Sequence, residues 1–123
     1  MKFVMRGCLF FLFGLILFLT PAAAAERPFY QGKNVNFVIN FAAGGPTDIE
    51  GRIVARHLAK HVPGQPAIVV QNMPGAGGVI GINFLGEVAK PDGLTITSII
   101  PAIYFNQLAG RKEVRFDYSK FNL

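Results

Sequence analysis

The chain has 123 residues, with 12 Lys and Arg against 7 Asp and Glu, a formal net charge of +5 and a single cysteine. One cysteine excludes a disulfide framework, and the scattered positive residues form no basic cluster interleaved with aromatics, so nucleic-acid binding is not supported. A chain of this length predicts one modest core, and therefore a single domain or part of one.

Residues 1–25 predict a secretory signal peptide. Lys2 and Arg6 precede an apolar run at Leu9–Leu19, which ends before a short stretch of alanines. Small residues there favour cleavage after Ala25, so we expect an exported protein whose folded domain begins beyond that point. The alternative, an uncleaved membrane anchor, is disfavoured because the run is shorter than the ~20 apolar residues that span a bilayer.

The cysteine, Cys8, precedes most of this apolar run. A lipid-attachment cysteine would follow the run, at the cleavage point, so we interpret Cys8 as an apolar residue of the signal segment. Removal of the segment also removes Lys2 and Arg6, which lowers the net charge from +5 to +3. The remaining chain has no thiol, which is compatible with an oxidising periplasm.

The first predicted pair of elements is a strand at Asn34–Phe41 and a helix at Asp48–His61. The strand segment is rich in β-branched and aromatic residues. In the helix segment, apolar residues recur on one side and basic residues on the other, which is typical of a helix lying on a sheet. The apolar side is expected to contact the sheet and comprises Ile49, Ile53, Val54 and Leu58, whereas the basic side comprises Arg52, Arg56 and Lys60.

Two residues compete as the start of this helix. Gly45 would be the cap with Pro46 at the first helical position, or Thr47 would be the cap with Glu50 completing a capping box. Either choice opens the helix within the glycine-rich segment Phe41–Asp48, which we name the first turn.

Two further strands follow, at Ala67–Val70 and Leu94–Ile100, and a short helix is predicted around Tyr104–Leu108. Between the two strands, the segment Asn72–Gly78, named the second turn, leads into a second long helix. The face of that helix expected to lie on the sheet comprises Ile80, Phe84, Leu85 and Val88. Strand, helix, strand, helix, strand with short connectors predicts an α/β fold with a parallel sheet, and three strands indicate that the sheet is incomplete.

The two glycine-rich turns predict a binding site. Carboxyl ends of parallel strands share one sheet edge, where the ligands of such sheets collect. Glycine lets a ligand approach the main chain, and a helix N-terminus carries partial positive charge, so the paired turns favour a small anion. Taken singly, each turn is also compatible with an ordinary tight connection, in which Asp48 complements the helix dipole.

Enzyme chemistry has weaker support. The second turn is similar to a dinucleotide-binding fingerprint, but Ile80 stands where glycine or alanine is required, and Asp92 precedes the following strand instead of ending it. A phosphate loop is excluded because Gly-Lys-Ser/Thr is missing. His57 and His61 lie four apart without an evident third ligand, so we expect solvated surface. We therefore expect no catalytic residue, no metal and no cofactor.

An ordered series of motifs resembles the Bug-type receptors, the periplasmic substrate-binding proteins of tripartite tricarboxylate transporters. The motifs are Val38–Asp48, Asn72–Gly78, Pro91–Gly93 and Phe116–Tyr118, and the match runs from about Phe29 to the end of the chain. The resemblance implies the first lobe of a type II periplasmic-binding-protein fold. Its two α/β lobes close on a small carboxylate, which then passes to membrane transporter subunits.

In that family, both turns hold a ligand carboxylate through main-chain amides and ordered water. The ligand-binding residues implied here are Phe41, Ala43, Gly44, Gly45, Thr47, Asp48, Pro74, Ala76, Gly77 and Gly78. Residues 26–123 correspond to only a part of the N-terminal lobe, so a fragment or a truncated form is expected. The alternatives are a fragment of a dinucleotide-binding enzyme domain and a truncated paralogue without function.

Overall fold

A computed structural model describes residues 26–121. The predicted signal peptide, its cleavage point and Cys8 lie outside the described residues. The elements are β1 (Asn34–Ile39), α1 (Pro46–His61), β2 (Ala67–Asn72), α2 (Val79–Glu87), β3 (Thr95–Thr97) and α3 (Pro101–Leu108), with short 3-10 helices at Ala76–Gly78 and Tyr118–Lys120. Within 26–121, the helices are all too short or too polar to cross a membrane.

The three strands form a parallel sheet in the order β2-β1-β3. β1 pairs with β2 from Asn34 opposite Ala67 to Ile39 opposite Asn72, and with β3 over three residues. The predicted α/β class with a parallel sheet is therefore confirmed. β3 is shorter than predicted, because the chain leaves the sheet to start α3, with Ile100 as the N-cap before Pro101.

Alternate side chains of β1 face opposite helices. A Cβ atom placed on Gly51 of α1 would lie 2.7 Å from Cδ1 of Ile39, and one placed on Gly81 of α2 would lie 2.9 Å from Cβ of Asn40. Both helices thus approach the central strand closely at a glycine. Because Ile39 and Asn40 are consecutive and point to opposite faces, α1 and α2 cover the two faces of the sheet, as in doubly wound α/β folds.

The face of α1 that contacts the sheet differs from the prediction. Its buried residues are Asp48, Gly51 and Ala55. Of the predicted contact residues, Leu58 is half-buried. The other three, Ile49, Ile53 and Val54, are 56%, 54% and 46% exposed. Small residues at 51 and 55 let the helix backbone approach β1, and hydrogen bonds draw Asp48 inward, so close approach outweighs the apolar pattern. The basic residues Arg52, Arg56 and Lys60 are exposed, as predicted.

The predicted face of α2 was wrong in part, because Phe84 and Leu85 are half-buried but the other two residues are exposed. Ile80 and Val88 are 52% and 66% exposed. The residues that α2 buries are Val79, Gly81, Ile82 and Asn83. The helix is rotated because the segment after α3 packs against it, with Ile82 in one buried cluster with Ile103 and Phe116.

Asn83 fastens that segment to α2. Its Nδ2 donates to the carbonyl of Glu113, and its Oδ1 accepts from the amide of Arg115, both at 2.9 Å. A Cβ atom placed on Gly86 would lie 2.9 Å from Cβ of Phe116, so the segment also packs closely against the helix. These contacts complete the core on the α2 side of the sheet.

Candidate functional site

The two glycine-rich turns meet at the carboxyl edge of the sheet. Asn72, the last residue of β2, donates from Nδ2 to the carbonyl of Phe41 at 3.0 Å and to Oδ1 of Asp48 at 2.8 Å. A Cβ atom placed on Gly78 would lie 3.3 Å from Cε2 of Phe41. The turns therefore contact each other, as the parallel strand order predicts.

A hydrogen-bond network centred on Asp48 holds the first turn. The Nε of Arg52 lies 3.0 Å from both carboxylate oxygens of Asp48, and the amide of Gly44 donates to Oδ2 at 2.8 Å. Nη2 of Arg52 also donates to Oδ1 of Asn72 at 2.9 Å. The hydrogen bonds from Arg52, Gly44 and Asn72 lower the pKa of Asp48 from 3.8 to about 2. The side chain of Asp48 is only 4% exposed, yet its charge is fully partnered.

The start of α1 follows the first of the two predicted alternatives. Gly45 is the N-cap and Pro46 the first helical residue, and no side chain caps the helix. Thr47 is therefore the second residue of the helix. The amide of Gly45 reaches the carbonyl of Ala42 at 3.5 Å, whereas no residue in 26–121 accepts a hydrogen bond from the amides of Ala43 or Thr47.

Backbone with positive φ builds the second turn. The φ angles of Gly75, Ala76, Gly77 and Gly78 are 132°, 48°, 62° and 95°. Glycine adopts such angles freely, but Ala76 does not, and local strain of this kind concentrates at functional sites. The amide of Gly78 bonds to the carbonyl of Gly75 at 2.9 Å, while the amides of Ala76 and Gly77 have no acceptor within the described chain. Successive N–H groups in such turns form concave anion sites.

The ten predicted site residues all lie at this edge but differ in accessibility. The exposed members are Ala43, Gly44, Pro74, Ala76 and Gly77. The half-buried members are Phe41, Gly45 and Thr47, and the buried ones are Asp48 and Gly78. The amide of Gly44 donates to the carboxylate of Asp48, so these two groups shape the turn and are not open to a ligand.

The edge is an open surface. One shallow depression of about 350 Å³ lies beside the start of α3 and is lined by Ile99, Ile100, Pro101, Tyr104 and Tyr118. Another, of about 310 Å³, lies between α1 and β2 and includes Arg52 and Val70 in its lining. The glycines of the turns line neither depression.

The two histidines of α1 are not part of a metal-binding cluster within residues 26–121. His57 and His61 are exposed on α1, as predicted. Within residues 26–121, no three His, Cys, Asp or Glu side chains come together in an arrangement suited to a metal ion.

Sequence reasoning missed two asparagines at the edge. Asn72 was recognised only as the first residue of the second turn, because its role as a bridge depends on the pairing of β2 with β1. Asn40 follows β1 and is fully buried, with neither side-chain atom paired to any described residue. A polar residue at the end of an apolar strand was the available signal for Asn40.

Comparisons with known proteins find relatives over part of the chain. A protein from Cupriavidus necator described as the UPF0065 protein in the gbd 5′ region is 39% identical over 84 residues, which are 68% of this chain and 24% of that protein. Protein BugT of Bordetella pertussis is 40% identical over 75 residues, covering 61% of this chain and 22% of that protein. This chain therefore spans about a quarter of the length of these curated relatives. No protein-family model matches.

A solved structure, described as that of a periplasmic transporter, shares the fold. It is 37% identical in sequence and superposes with a TM-score of 0.50, over 55% of this chain and 22% of the other.

Proposed function

We propose that this chain, a relative of the UPF0065 and Bug proteins, is part of a periplasmic solute-binding receptor that captures a small carboxylate. The observation that carries the proposal is the meeting of two glycine-rich turns, each opening a helix, at the carboxyl edge of a parallel sheet. The BugT relative and the shared fold of a periplasmic transporter support the receptor class.

The proposed carboxylate bridges the N-termini of α1 and α2. The amides of Ala43 and Thr47 on one side, and of Ala76 and Gly77 on the other, are the open donors that would bind its oxygens. Each helix adds the positive end of its dipole. The negative charge of Asp48 does not oppose an anion strongly, because the guanidinium of Arg52 balances it.

The remaining predicted residues would shape the site. Gly44 and Gly45 leave the backbone before α1 without side chains, and Gly78 does the same at the start of α2. Pro74 is exposed at the rim, and the half-buried ring of Phe41 would form an apolar wall between the turns.

A titration followed by NMR tests this assignment. Succinate added to the ¹⁵N-labelled chain should shift the amide signals of Ala43, Thr47, Ala76 and Gly77. Signals from glycine turns elsewhere, at Gly64, Gly93 and Gly110, should stay in place. Succinamide, which is similar in shape but uncharged, serves as the matched ligand control. Unchanged spectra with succinate, or equal shifts with both compounds, would remove the proposal.

We also propose that residues 1–25 direct export and are cleaved after Ala25, and that residues 26–123 are a partial N-terminal lobe that delivers its solute to membrane transporter subunits. The apolar run behind two basic residues supports the export step. Mass spectrometry of the protein from a periplasmic extract should give a chain starting at Glu26. Recovery of the intact chain in the membrane fraction would contradict cleavage.

A further inference from the structure

Asn40 is a primary amide placed in an apolar environment. Its side chain is 0% exposed, as are those of Val38 and Ile39, which precede it in β1. Neither Nδ2 nor Oδ1 has a hydrogen-bond partner among residues 26–121. A buried amide without partners destabilises a fold, so an apolar side chain would be the favourable choice for packing alone.

The amide lies directly beneath the N-terminus of α2. A Cβ atom placed on Gly78, the N-cap of this nine-residue helix, would lie 2.8 Å from Nδ2 of Asn40 and 3.1 Å from Cδ1 of Ile103. The backbone of a glycine therefore covers the amide on that side. The unpaired side chain of Asn40 and the N-terminus of α2 are independent features that lie next to each other.

That place is the switch point of the sheet. β1 lies between β2 and β3, and Asn40 is the first residue beyond its carboxyl end. The helices that follow β1 and β2 cover opposite faces, so the connections diverge there. Open α/β sheets bind their ligands in this crevice.

We propose that Asn40 is a specificity-determining residue of the solute site and that it selects a hydroxycarboxylate over a carboxylate without a hydroxyl group. The inference rests on the proposed function. A primary amide offers both a donor, Nδ2, and an acceptor, Oδ1. A carboxylate oxygen only accepts, whereas a hydroxyl group accepts and donates, directly or through one water molecule. Amides of the turns would bind the carboxylate, and Asn40 would bind the neighbouring hydroxyl.

Contact with Asn40 requires the second turn to move outward around Gly78. Three of the four residues at 75–78 are glycines with positive φ, so the backbone there has conformations open to it that other residues lack. Once the turn opens, a ligand without a hydroxyl would leave the amide unpaired, and sites of this kind reject such analogues strongly.

Malate and succinate test the inference, because they differ by one hydroxyl group. With the full chain, malate should bind roughly 10- to 100-fold more tightly than succinate, as expected for one buried hydrogen-bonded pair. Asn40→Leu, which keeps the branch at Cγ but has no polar atom, should bind malate as weakly as succinate while keeping the succinate affinity of the wild type. Asn36→Leu, at an exposed position four residues earlier on the same face, is the matched control and should preserve the preference.

The outcomes separate the two proposals. Equal affinities in the wild type, or a preference that Asn40→Leu leaves unchanged, would overturn the role of Asn40 and leave carboxylate capture intact. A lack of binding to either compound would remove both. Thermal unfolding checks that the variant folds, and Asn40→Val, which is smaller, replaces it if the leucine is not accommodated.

Discussion

Asp48 and Asn72 connect three parts of the chain with two short side chains. Asp48 is the third residue of α1, and Asn72 ends β2, twenty-four positions later. Together with Arg52 they satisfy the Phe41 carbonyl and the Gly44 amide, so the backbone of the first turn is fixed by groups from the sheet and the helix. The charge of Asp48 and the hydrogen bonds of Asn72 can each be tested by substitution.

Replacement of Asp48 by Asn should remove a pH-dependent part of the stability. The pKa of Asp48 is about 2 in the folded chain, against 3.8 ordinarily, so its ionised form stabilises the fold above about pH 4, and this stabilisation is lost as the pH falls toward 2. The midpoint of urea unfolding of the wild type should therefore fall more steeply over this range than that of Asp48→Asn. Glu50→Gln, an exposed change on the same helix, should follow the wild type. Parallel curves for wild type and Asp48→Asn would show that the carboxylate is not stabilised.

Asn72→Leu should destabilise the fold by about 1–3 kcal/mol, because it leaves the Phe41 carbonyl and part of the Asp48 carboxylate without a donor. Urea unfolding at neutral pH measures the difference. Gln71→Leu, an exposed neighbour in the same strand, is the control and should change stability by less than about 0.5 kcal/mol. Similar losses in both variants would mean that the bridge carries no particular weight.

At the scale of elements, the sequence predicted which segments are strands and helices better than how the helices are rotated. β1, β2 and both long helices lie within a few residues of their predicted positions. The predicted faces were wrong in part because Gly51 and Gly81 allow close approach to β1. An apolar pattern does not report how closely two backbones approach. Helix rotation also depends on Phe116, which is distant in sequence.

The candidate site was likewise predicted from the sequence only in part. The meeting of the two turns could be predicted, since it follows from the parallel order of β1 and β2. The sequence could not predict which amides of the turns lack an acceptor. That depends on the hydrogen bond from the Gly44 amide to Asp48 and on the φ angles of the second turn.

Gly78→Ala should destabilise the fold by more than about 1 kcal/mol, since it combines an unfavourable positive φ with overpacking against Asn40 and Ile103. Gly110→Ala separates the two effects, because Gly110 also has a positive φ, of 64°, but open space around its Cα. The unfolding free energy of Gly110→Ala should fall by less. Equal losses would show that overpacking adds nothing at position 78.

Ile103→Ala should cost about 2–5 kcal/mol, because Ile103 is fully buried and joins α3 to Ile82 and Phe116. Phe105→Ala, on the same helix and 62% exposed, provides the comparison and should have a small effect. If the two variants unfold at the same urea concentration, α3 is not anchored through Ile103.

At the scale of the whole molecule, the resemblance to Bug-type proteins is confirmed by the UPF0065 and BugT relatives, and the α/β fold is shared with a periplasmic transporter. The described residues pack around one central strand, whose residues Val38 and Ile39 are fully buried between the two helix layers.

The chain should therefore unfold in one cooperative step. Far-ultraviolet circular dichroism reports the helices, and the near-ultraviolet signal reports the tyrosines, which include Tyr104 and Tyr118 beside the buried cluster. The two thermal transitions should coincide. Val38→Ala should lower both midpoints equally, whereas divergent transitions would support the alternative of a truncated paralogue that does not fold stably.

The internal bonds of the first turn have a kinetic consequence. Because Asp48, Arg52 and Asn72 hold that loop from within the chain, the proposed solute would have little ordering entropy to overcome there. Pre-organisation of this kind favours rapid association, so differences in affinity between related solutes should lie mainly in how long each one stays bound.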